Sequence, residues 1–273
     1  MSLRITTRNA RFQQWQSLLD NRTKRTRAGQ FLVQGVRPIT LAVQHDWPIR
    51  TLIHPIGRDL SQWATGLLAQ LDELRVERIA MAPELLAELT GKDESAELVA
   101  VATQAPDTLD RIAARPDFLG VVFDRPTSPG NVGTVIRSAD AFGAAGVIVA
   151  GHAADPYDPK AVRASTGSLF ALPVVRVPAP GMVIDWLADV RAAGVPVRVV
   201  GTDETGRYDV ADHDLTGPTL LVVGNETSGM SAAWREACDV VVRIPIGGAA
   251  SSLNAASAAS VVLYEVARQR GRM

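Results

Sequence analysis

The chain has 273 residues, of which 47% are hydrophobic and 21% charged, and its formal net charge is −1, a composition typical of globular proteins. Charged residues or prolines interrupt every apolar run before it reaches the length of a membrane span, and the first residues lack the apolar core of a signal peptide. The single cysteine, Cys238, excludes an internal disulfide framework and a cysteine-rich metal site, so we expect a cytoplasmic protein without a metal.

The charge is distributed unevenly along the chain. Residues 1–50 contain nine Lys or Arg against two acidic residues, whereas residues 51–110 contain four basic residues against eleven acidic ones. A basic segment on a nearly neutral protein predicts a local contact with a polyanion. Its densest part is the polar segment 21–29, which we predict to be a loop carrying Arg22, Lys24, Arg25 and Arg27. A solvated loop without a ligand is the alternative.

Short apolar runs alternate between helical and strand periodicity in the first hundred residues. We predict helices at about 9–19, at 36–45 and around 63–71, strands at 31–35, 51–55 and 98–104, and a strand–helix unit at 76–89. This alternation is typical of a small α/β domain, with limits 1–104. A segment with prolines near both ends, 105–117, is the predicted linker.

From residue 118 onward the strands are longer and more apolar. They are predicted at 118–124, 146–150, 173–177, 196–201, 219–224 and 240–245, with helices that include 131–143 and 253–269. Runs that are apolar on both faces belong to parallel sheets covered by helices on both sides. We therefore predict a doubly wound α/β domain over 118–273.

Ligands bind beyond the carboxyl ends of the strands in such sheets. The loops at those ends are predicted at 125–131, 151–158, 201–206, 224–230 and 246–252. In the fourth loop, Gly224 and Gly229 permit close approach of the backbone to a ligand, and Glu226 offers an acceptor, but an ordinary strand-to-helix turn is equally compatible. The residues after the last loop, 251–260, suit a packed helix with a Ser cap just as well as a ligand site. Dinucleotide, Walker and nucleophile-elbow motifs are absent.

Three segments, taken together, favour a ligand site over ordinary turns and caps in these loops. They are NVGTVIRSADAFGAAGVIV (131–149), LLVVGNETSGMS (220–231) and VVRIPIGGAASSLNAASAASVVLYEVARQ (241–269). In order and spacing they resemble the three motifs of the SpoU (TrmH-like) RNA ribose methyltransferases of the SPOUT superfamily. RASTGSLFALPVV (163–175) is similar to the segment between those motifs. Residues 22–43 resemble the small ribosomal-protein-like substrate-binding domain often joined to them, although Gln34 stands where Glu is common, and Thr227 where Gly is frequent.

The resemblance implies a carboxyl-terminal deep trefoil knot that binds S-adenosylmethionine, and a homodimer whose active sites use both subunits. Backbone groups at Gly224, Ile244 and Leu253 are the implied main cofactor contacts, and Val223, Gly229 and Thr202 complete the predicted cofactor set. The implied catalytic and substrate-side residues are Asn131, Arg137, Glu226, Ser252 and Asn254.

The implied reaction is methyl transfer to a ribose 2′-hydroxyl of structured RNA, with ribosomal RNA favoured by analogy. Methylation of a tRNA ribose or base, and RNA binding without catalysis, are the alternatives. Because a guanidinium stays protonated, Arg137 is hypothesised to bind a neighbouring phosphate and orient the hydroxyl, not to act as a free base. The basic residues of 22–27 are then expected to hold RNA phosphates.

Overall fold

The computed structural model describes residues 3–91 and 96–271. Its strands are β1 (Leu3–Ile5), β2 (Gln30–Gln34), β3 (Ile49–Pro55), β4 (Glu77–Met81), β5 (Val99–Thr103), β6 (Leu119–Asp124), β7 (Gly146–Ala150), β8 (Val174–Val177), β9 (Arg198–Thr202), β10 (Tyr208–Asp209), β11 (Thr219–Val223) and β12 (Val240–Arg243). Its α-helices are α1 (Ala10–Asp20), α2 (Arg22–Ala28), α3 (Val36–Gln44), α4 (Gln62–Glu73), α5 (Pro83–Thr90), α6 (Pro129–Ala141), α7 (Pro159–Ser165), α8 (Ser168–Ala171), α9 (Pro180–Ala192), α10 (Ala232–Ala237) and α11 (Ala255–Gln269).

The chain forms two compact units. Unit 1 comprises Met1–Ala105 and Tyr157–Ala171, and unit 2 comprises Pro106–Pro156 and Leu172–Met273. The predicted limits, 1–104 and 118–273 with a linker between them, stay predictions, and they did not include the return of α7 and α8 to unit 1. That return has a physical reason, because Tyr157 packs on Phe31 with 4.7 Å between ring centroids and Phe170 meets Trp47 edge-on at 5.2 Å.

Unit 1 is built on a five-stranded sheet in the order β1-β4-β3-β5-β2. Strand β4 is parallel to β1 and β3, whereas β5 is antiparallel to β3 and β2. The apolar side of α1 closes one core, where Phe12, Trp15 and Leu18 are buried against the sheet. Strand β1 was not among the predicted elements, since three residues are too few to show a periodicity.

The predicted loop at 21–29 is wrong, because most of it forms helix α2. Asn21 caps this helix by accepting a hydrogen bond from the Lys24 amide at 3.0 Å, and Gly29 ends it with a φ of 61°. Hydrophobic periodicity does not predict this helix, because the segment contains almost no apolar residue. Its inward-facing position is occupied by Arg25, whose side chain is only 2% exposed.

Unit 2 contains a seven-stranded sheet in the order β10-β12-β9-β11-β6-β7-β8, and all of its strand pairs are parallel. The predicted parallel sheet is therefore confirmed, with the two-residue β10 as an addition. Central strands β6 and β11 are buried along their whole length, which explains their unbroken apolar sequences. The chain moves outward in opposite directions from β6, so the loops after β6, β9, β11 and β12 gather at one edge of the sheet.

Helix α11 packs against α6 through a pair of serines and a pair of aromatic rings. The hydroxyls of Ser138 and Ser260 lie 2.7 Å apart, and the rings of Phe142 and Tyr264 meet edge-on at 6.1 Å. This contact holds the start of α11 beside the start of α6, where the candidate site lies. Within residues 3–91 and 96–271, none of the helices combines the length and apolarity needed to cross a bilayer.

Candidate active site

A cavity of about 400 Å³ lies in unit 2 beyond the carboxyl ends of β9, β11 and β12. This volume is in the range of small-molecule sites. All six residues of the predicted cofactor set line it, namely Thr202, Val223, Gly224, Gly229, Ile244 and Leu253. Glu226 and Ser252 from the predicted catalytic set line it too. The structure thus brings together residues that lie far apart in the sequence.

The wall of this cavity is apolar in one part and acidic in another. Ile246 and Leu253 remain 39% and 40% exposed, which is unusual for large aliphatic side chains and leaves an apolar surface for a ligand. The ionisable lining residues are the carboxylates of Asp203, Glu204 and Glu226 and the guanidinium of Arg235. A net acidic cavity with an apolar slot suits a ligand that combines a flat ring with a positive charge, and it disfavours phosphates.

Asp203 was not among the predicted site residues, although the loop that contains it was. Its carboxylate accepts a hydrogen bond from Arg235 at 3.0 Å and two from Thr205, at 3.0 Å from the amide and 2.6 Å from the hydroxyl. Partial burial raises the pKa of Asp203, but the hydrogen bonds from Thr205 and the charge of Arg235 outweigh this effect and lower it. Asp203 is therefore a fixed negative charge at the cavity.

Gly224 permits the tightest backbone approach in the site. A Cβ atom at this position would lie 2.4 Å from the Met230 nitrogen and 2.5 Å from the Gly229 carbonyl carbon. The loop folds back because Asn225 and Gly229 exchange two backbone hydrogen bonds, at 3.0 and 3.1 Å. The close turn presents the backbone of this segment to the cavity, and only glycine fits at its first residue.

Glu226 joins this loop to the start of α6. Its carboxylate accepts hydrogen bonds from the Thr127 amide at 3.0 Å, the Ser128 amide at 3.2 Å and the Asn131 side chain at 3.0 Å. Burial raises the pKa of Glu226, but the donors of Thr127, Asn131 and Ser128 more than compensate, so the pKa lies below its ordinary value. An ionised Glu226 that is already saturated with donors positions other groups and is a poor proton acceptor.

Asn131 and Asn254 extend this network to α11. Asn254 donates from its amide to the Asn131 side-chain oxygen at 3.1 Å. The Asn254 side-chain oxygen in turn caps α11 by accepting from the amides of Ala256 and Ser257. Three of the predicted catalytic residues, Asn131, Glu226 and Asn254, thus form one continuous chain of hydrogen bonds between two helix starts.

A second link at the end of β6 was missed by the sequence analysis. Arg125 adopts a left-handed conformation with φ 51°, and its guanidinium donates to the Gly229 carbonyl at 3.1 Å and to Asp124 at 3.2 Å. Asn225 donates to the Arg125 carbonyl at 2.6 Å, and the buried Asp124 accepts from the Ser231 amide at 2.7 Å. These contacts fix both ends of the 225–231 loop. The sequence gives no signal for them except the position of Arg125 after a buried strand.

Arg137 and the basic residues of α2 are not among the residues that line the cavity. Arg137 is on the exposed side of α6. In unit 1, Arg22, Lys24 and Arg27 are exposed, as a contact with RNA phosphates requires. Arg25 is different, because it donates to the carbonyls of Leu18 and Leu19 and pairs with Asp158 at 3.3 Å. The prediction that Arg25 holds a phosphate is therefore wrong, since its guanidinium is buried among protein partners.

The part of the chain that the structure describes contains no group of three or more His, Cys, Asp or Glu side chains arranged to hold a metal ion. The carboxylates of Glu226 and Asp203 are instead committed to amides, hydroxyls and Arg235. Cys238 is partly buried, and this burial together with the charge of Asp239 raises the pKa of its thiol to about 11. The thiol is therefore a packing group at neutral pH.

The lowered pKa of Glu226 predicts a pH-dependent stability. An ionised Glu226 stabilises the fold above its ordinary pKa of 4.5, and this contribution disappears as the pH falls through the lower pKa of the folded state. We expect the difference in unfolding free energy between the wild type and Glu226→Gln to be constant near neutral pH and to shrink in acid. Urea unfolding from neutral to acidic pH measures it. Glu204→Gln controls for the loss of one charge, and a difference undiminished in acid would contradict the prediction.

Comparison with protein families shows which family the chain resembles. Residues 119–264 match the model of the SpoU rRNA Methylase family, and residues 9–100 match that of the SpoU L30e-like domain. The chain belongs to the SpoU rRNA methylase family. The predicted family is confirmed, and so is the fold class of a SpoU parallel-sheet domain preceded by a small ribosomal-protein-like α/β domain.

Individual SpoU proteins are similar over almost the whole chain. A curated relative from Streptomyces viridochromogenes, named 23S rRNA (uridine(2479)-2′-O)-methyltransferase, is 65% identical over 268 residues, which are 98% of this chain and 92% of the relative. The crystal structure of the SpoU methyltransferase AviRb from the same organism, in complex with AdoMet, has a TM-score of 0.90 and 63% identity and covers 97% of this chain and 100% of that one. An AdoMet-bound rRNA methyltransferase from Sinorhizobium meliloti has a TM-score of 0.86 and 30% identity over 97% of each chain.

Proposed function

We propose that this SpoU protein transfers a methyl group from S-adenosylmethionine to a ribose 2′-hydroxyl of ribosomal RNA. The observation that carries the proposal is the cavity, whose walls combine an apolar slot, exposed backbone and a net negative charge. The adenine ring matches the apolar slot near Ile246 and Leu253, and the positively charged sulfonium matches the carboxylates. The 65%-identical relative from Streptomyces viridochromogenes is named for the same reaction on the same class of RNA, which supports the proposal.

When bound, S-adenosylmethionine supplies a methyl group already activated by a positive sulfur, so the protein contributes mainly positioning. In the proposed mechanism, the backbone around Gly224 and Ile244 holds the adenine edge. The Glu226–Asn131–Asn254 network keeps the starts of α6 and α11 at a fixed separation beside the cavity. No side chain of this network has to change its protonation state, because Glu226 is saturated with donors.

Arg137 has a separate role in this proposal. It lies about two helical turns after Asn131 on the exposed side of α6, where RNA has access. A guanidinium forms bidentate hydrogen bonds with phosphate and remains protonated, so we assign it to holding an RNA phosphate and orienting the attacking hydroxyl. The proton of the hydroxyl leaves to that phosphate or to solvent.

Replacing Arg137 by alanine is expected to lower the single-turnover rate of methyl transfer at least about tenfold, because a charge-assisted hydrogen bond contributes about 1.5–3 kcal/mol. The rate is measured at saturating RNA with radiolabelled S-adenosylmethionine. Arg137→Lys keeps the charge without the bidentate geometry and is expected to recover part of the rate. Unchanged rates at saturating RNA for Arg137→Ala would remove the residue from the mechanism.

We further propose a cytoplasmic homodimer with a trefoil-knotted unit 2, as the family resemblance implies. The exposed cations of α2, Arg22, Lys24 and Arg27, are assigned to RNA phosphates, which makes binding weaken as the salt concentration rises. Light scattering coupled to size exclusion tests the dimer, because a monomeric mass at assay concentration contradicts it.

The decisive experiment for the activity is a map of methylated nucleotides. Ribosomal and transfer RNA from cells with and without the gene are digested with nucleases and analysed by mass spectrometry. We expect one additional ribose methylation in ribosomal RNA when the gene is present. A methyl group on tRNA or on a base would show that tRNA, or a base, is the methylated substrate. Unmodified RNA together with retained RNA binding would indicate a non-catalytic RNA-binding protein.

A further inference from the structure

Arg235 joins two loops of the cavity in unit 2. Its Nε donates to the Met230 carbonyl at 3.2 Å, and its Nη2 donates to the Asp203 carboxylate at 3.0 Å. Because Met230 lies in the loop after β11 and Asp203 in the loop after β9, one side chain spans the loops of two neighbouring strands. A Cβ atom built on Gly229 would lie 3.4 Å from Nη2 of Arg235. The guanidinium is therefore directly beside a residue of the predicted cofactor set.

The third nitrogen of this guanidinium is still available to a ligand. Nη1 makes no hydrogen bond or ion pair with the residues that the structure describes. The Arg235 side chain lines the cavity and is 49% exposed, so a ligand has access to it. A guanidinium that two bonds already hold loses little conformational entropy when it binds an anion. Arg235 is thus a preorganised donor for a negatively charged group.

Glu204 provides the opposite charge from the loop after β9. It is the second residue of a tight turn, in which the Gly206 amide donates to the Asp203 carbonyl at 3.0 Å. The Asp203 amide also donates to the Val242 carbonyl at 3.1 Å, which ties the turn to β12. Asp203 and Glu226, the other carboxylates of the cavity, accept several hydrogen bonds, whereas the Glu204 side chain accepts none within the described part of the chain. The turn thus carries a carboxylate that is available to a cation.

Arg235 and Glu204 line the same cavity but form no ion pair with each other. Such an arrangement matches a ligand that has two opposite charges of its own. A phosphate would be attracted by the guanidinium but repelled by Glu204, and a simple amine would use the carboxylate and be repelled by Arg235. The α-amino-acid group is a small unit that carries both charges, because its carboxylate and its ammonium are ionised together at neutral pH.

We propose that Arg235 and Glu204 bind the amino-acid end of S-adenosylmethionine. Nη1 of Arg235 donates to the α-carboxylate, and Glu204 accepts from the α-ammonium. The inference rests on the proposed function, since it names the residues that hold one end of the proposed cofactor. The adenine stays in the apolar slot near Ile246 and Leu253, which belong to the segment between β12 and α11. The two charged residues thus select the complete cofactor over nucleosides that lack the amino acid.

Calorimetric titration of the full-length protein with two analogues tests this assignment. S-adenosylhomocysteine, the cofactor after loss of the methyl group, keeps the amino-acid end, and 5′-methylthioadenosine lacks it. We expect Arg235→Ala and Glu204→Gln each to lower the ratio of the first affinity to the second by about tenfold, near the lower end of the effect of a hydrogen bond to a charged group. A loosening of the loops would weaken both ligands alike and leave the ratio unchanged. Arg235→Lys keeps the cation and is expected to recover part of the ratio.

A third ligand separates the two contacts. Decarboxylated S-adenosylhomocysteine lacks only the carboxylate, so we expect Glu204→Gln to weaken its binding about tenfold relative to 5′-methylthioadenosine, and Arg235→Ala to leave this ratio unchanged. The matched controls are Arg207→Ala and Glu236→Gln, which remove the same charges from exposed residues outside the cavity lining.

Two kinds of failure are distinguishable in these titrations. An S-adenosylhomocysteine ratio that stays unchanged in Arg235→Ala or in Glu204→Gln, or that falls equally in the controls, would overturn the amino-acid site alone. A wild-type protein that bound none of the three ligands would contradict the proposed cofactor, and the proposed methyl transfer with it.

Discussion

Replacing Arg25 by alanine is expected to lower the free energy of unfolding by about 2–5 kcal/mol, the range for truncating a long buried side chain to alanine. The side chain is 2% exposed and is the link between α1, α2 and α7. Its removal leaves the carbonyls of Leu18 and Leu19 without these hydrogen bonds at the end of α1, leaves Asp158 without its cation, and opens a cavity as well. Urea unfolding followed by circular dichroism measures the loss.

Two matched variants separate the contributions to this effect. Arg25→Met keeps most of the packing volume and is expected to recover part of the stability without the hydrogen bonds. Lys24→Ala removes an exposed charge from the same helix, so we expect unfolding within about 0.5 kcal/mol of the wild type and weaker RNA binding. If Arg25→Ala instead unfolded like the wild type and only weakened RNA binding, the guanidinium would be a phosphate ligand, and the buried arrangement would be incorrect.

Arg25 also shows where reasoning from sequence stops. Four cations within six residues have the same appearance in a sequence, whichever of them points inward. Which of the four side chains points into the protein depends on the helical turn of α2. Hydrophobic periodicity could not predict α2, because an arginine occupies the position where an amphipathic helix normally has an apolar residue. The partner that permits this burial, Asp158, lies 133 residues away.

The parallel sheet of unit 2 was predictable because, unlike α2, its strands are rich in apolar residues. Each of its long strands carries a run of apolar residues that periodicity detects directly, and the loops at the carboxyl ends follow from the topology of parallel sheets. The positions of Thr202, Gly224 and Leu253 in the cavity lining could therefore be predicted from the strand ends together with the family motifs. The roles of Asp124 and Arg125 were not, because they depend on hydrogen bonds to residues about a hundred positions later.

For Glu226, the sequence predicts the position in the site, whereas the chemical role depends on the surrounding hydrogen bonds. The motif placed it among the catalytic positions, and the structure does bring it to the cavity. Thr127, Ser128 and Asn131, at and just before the start of α6, however, donate hydrogen bonds to it and hold the carboxylate in its charged form. The catalytic assignment that the family motif implies stays a prediction, and within it these contacts favour positioning over proton transfer, since the environment of the carboxylate sets its pKa.

Gly224→Ala is expected to weaken the binding of S-adenosylmethionine by roughly 5- to 150-fold, which corresponds to the 1–3 kcal/mol that overpacking typically costs. The new Cβ would overlap backbone atoms of Gly229 and Met230, and backbone cannot rotate away as a side chain does. The 225–229 turn would have to open, and its opening would break the paired hydrogen bonds between Asn225 and Gly229. Isothermal titration calorimetry of the full-length protein measures the change directly.

The control for this prediction is Gly181→Ala in helix α9, where an added Cβ meets no atom within 4 Å. Because alanine is favoured over glycine inside a helix, this variant is expected to bind the cofactor like the wild type and to be slightly more stable. Wild-type affinity in Gly224→Ala would mean that the turn opens at no cost to the ligand, and the backbone around Gly224 would then have no part in the cofactor site. Reduced affinity in both variants would point to a general loss of stability, whereas a loss confined to Gly224→Ala places the cofactor against this turn.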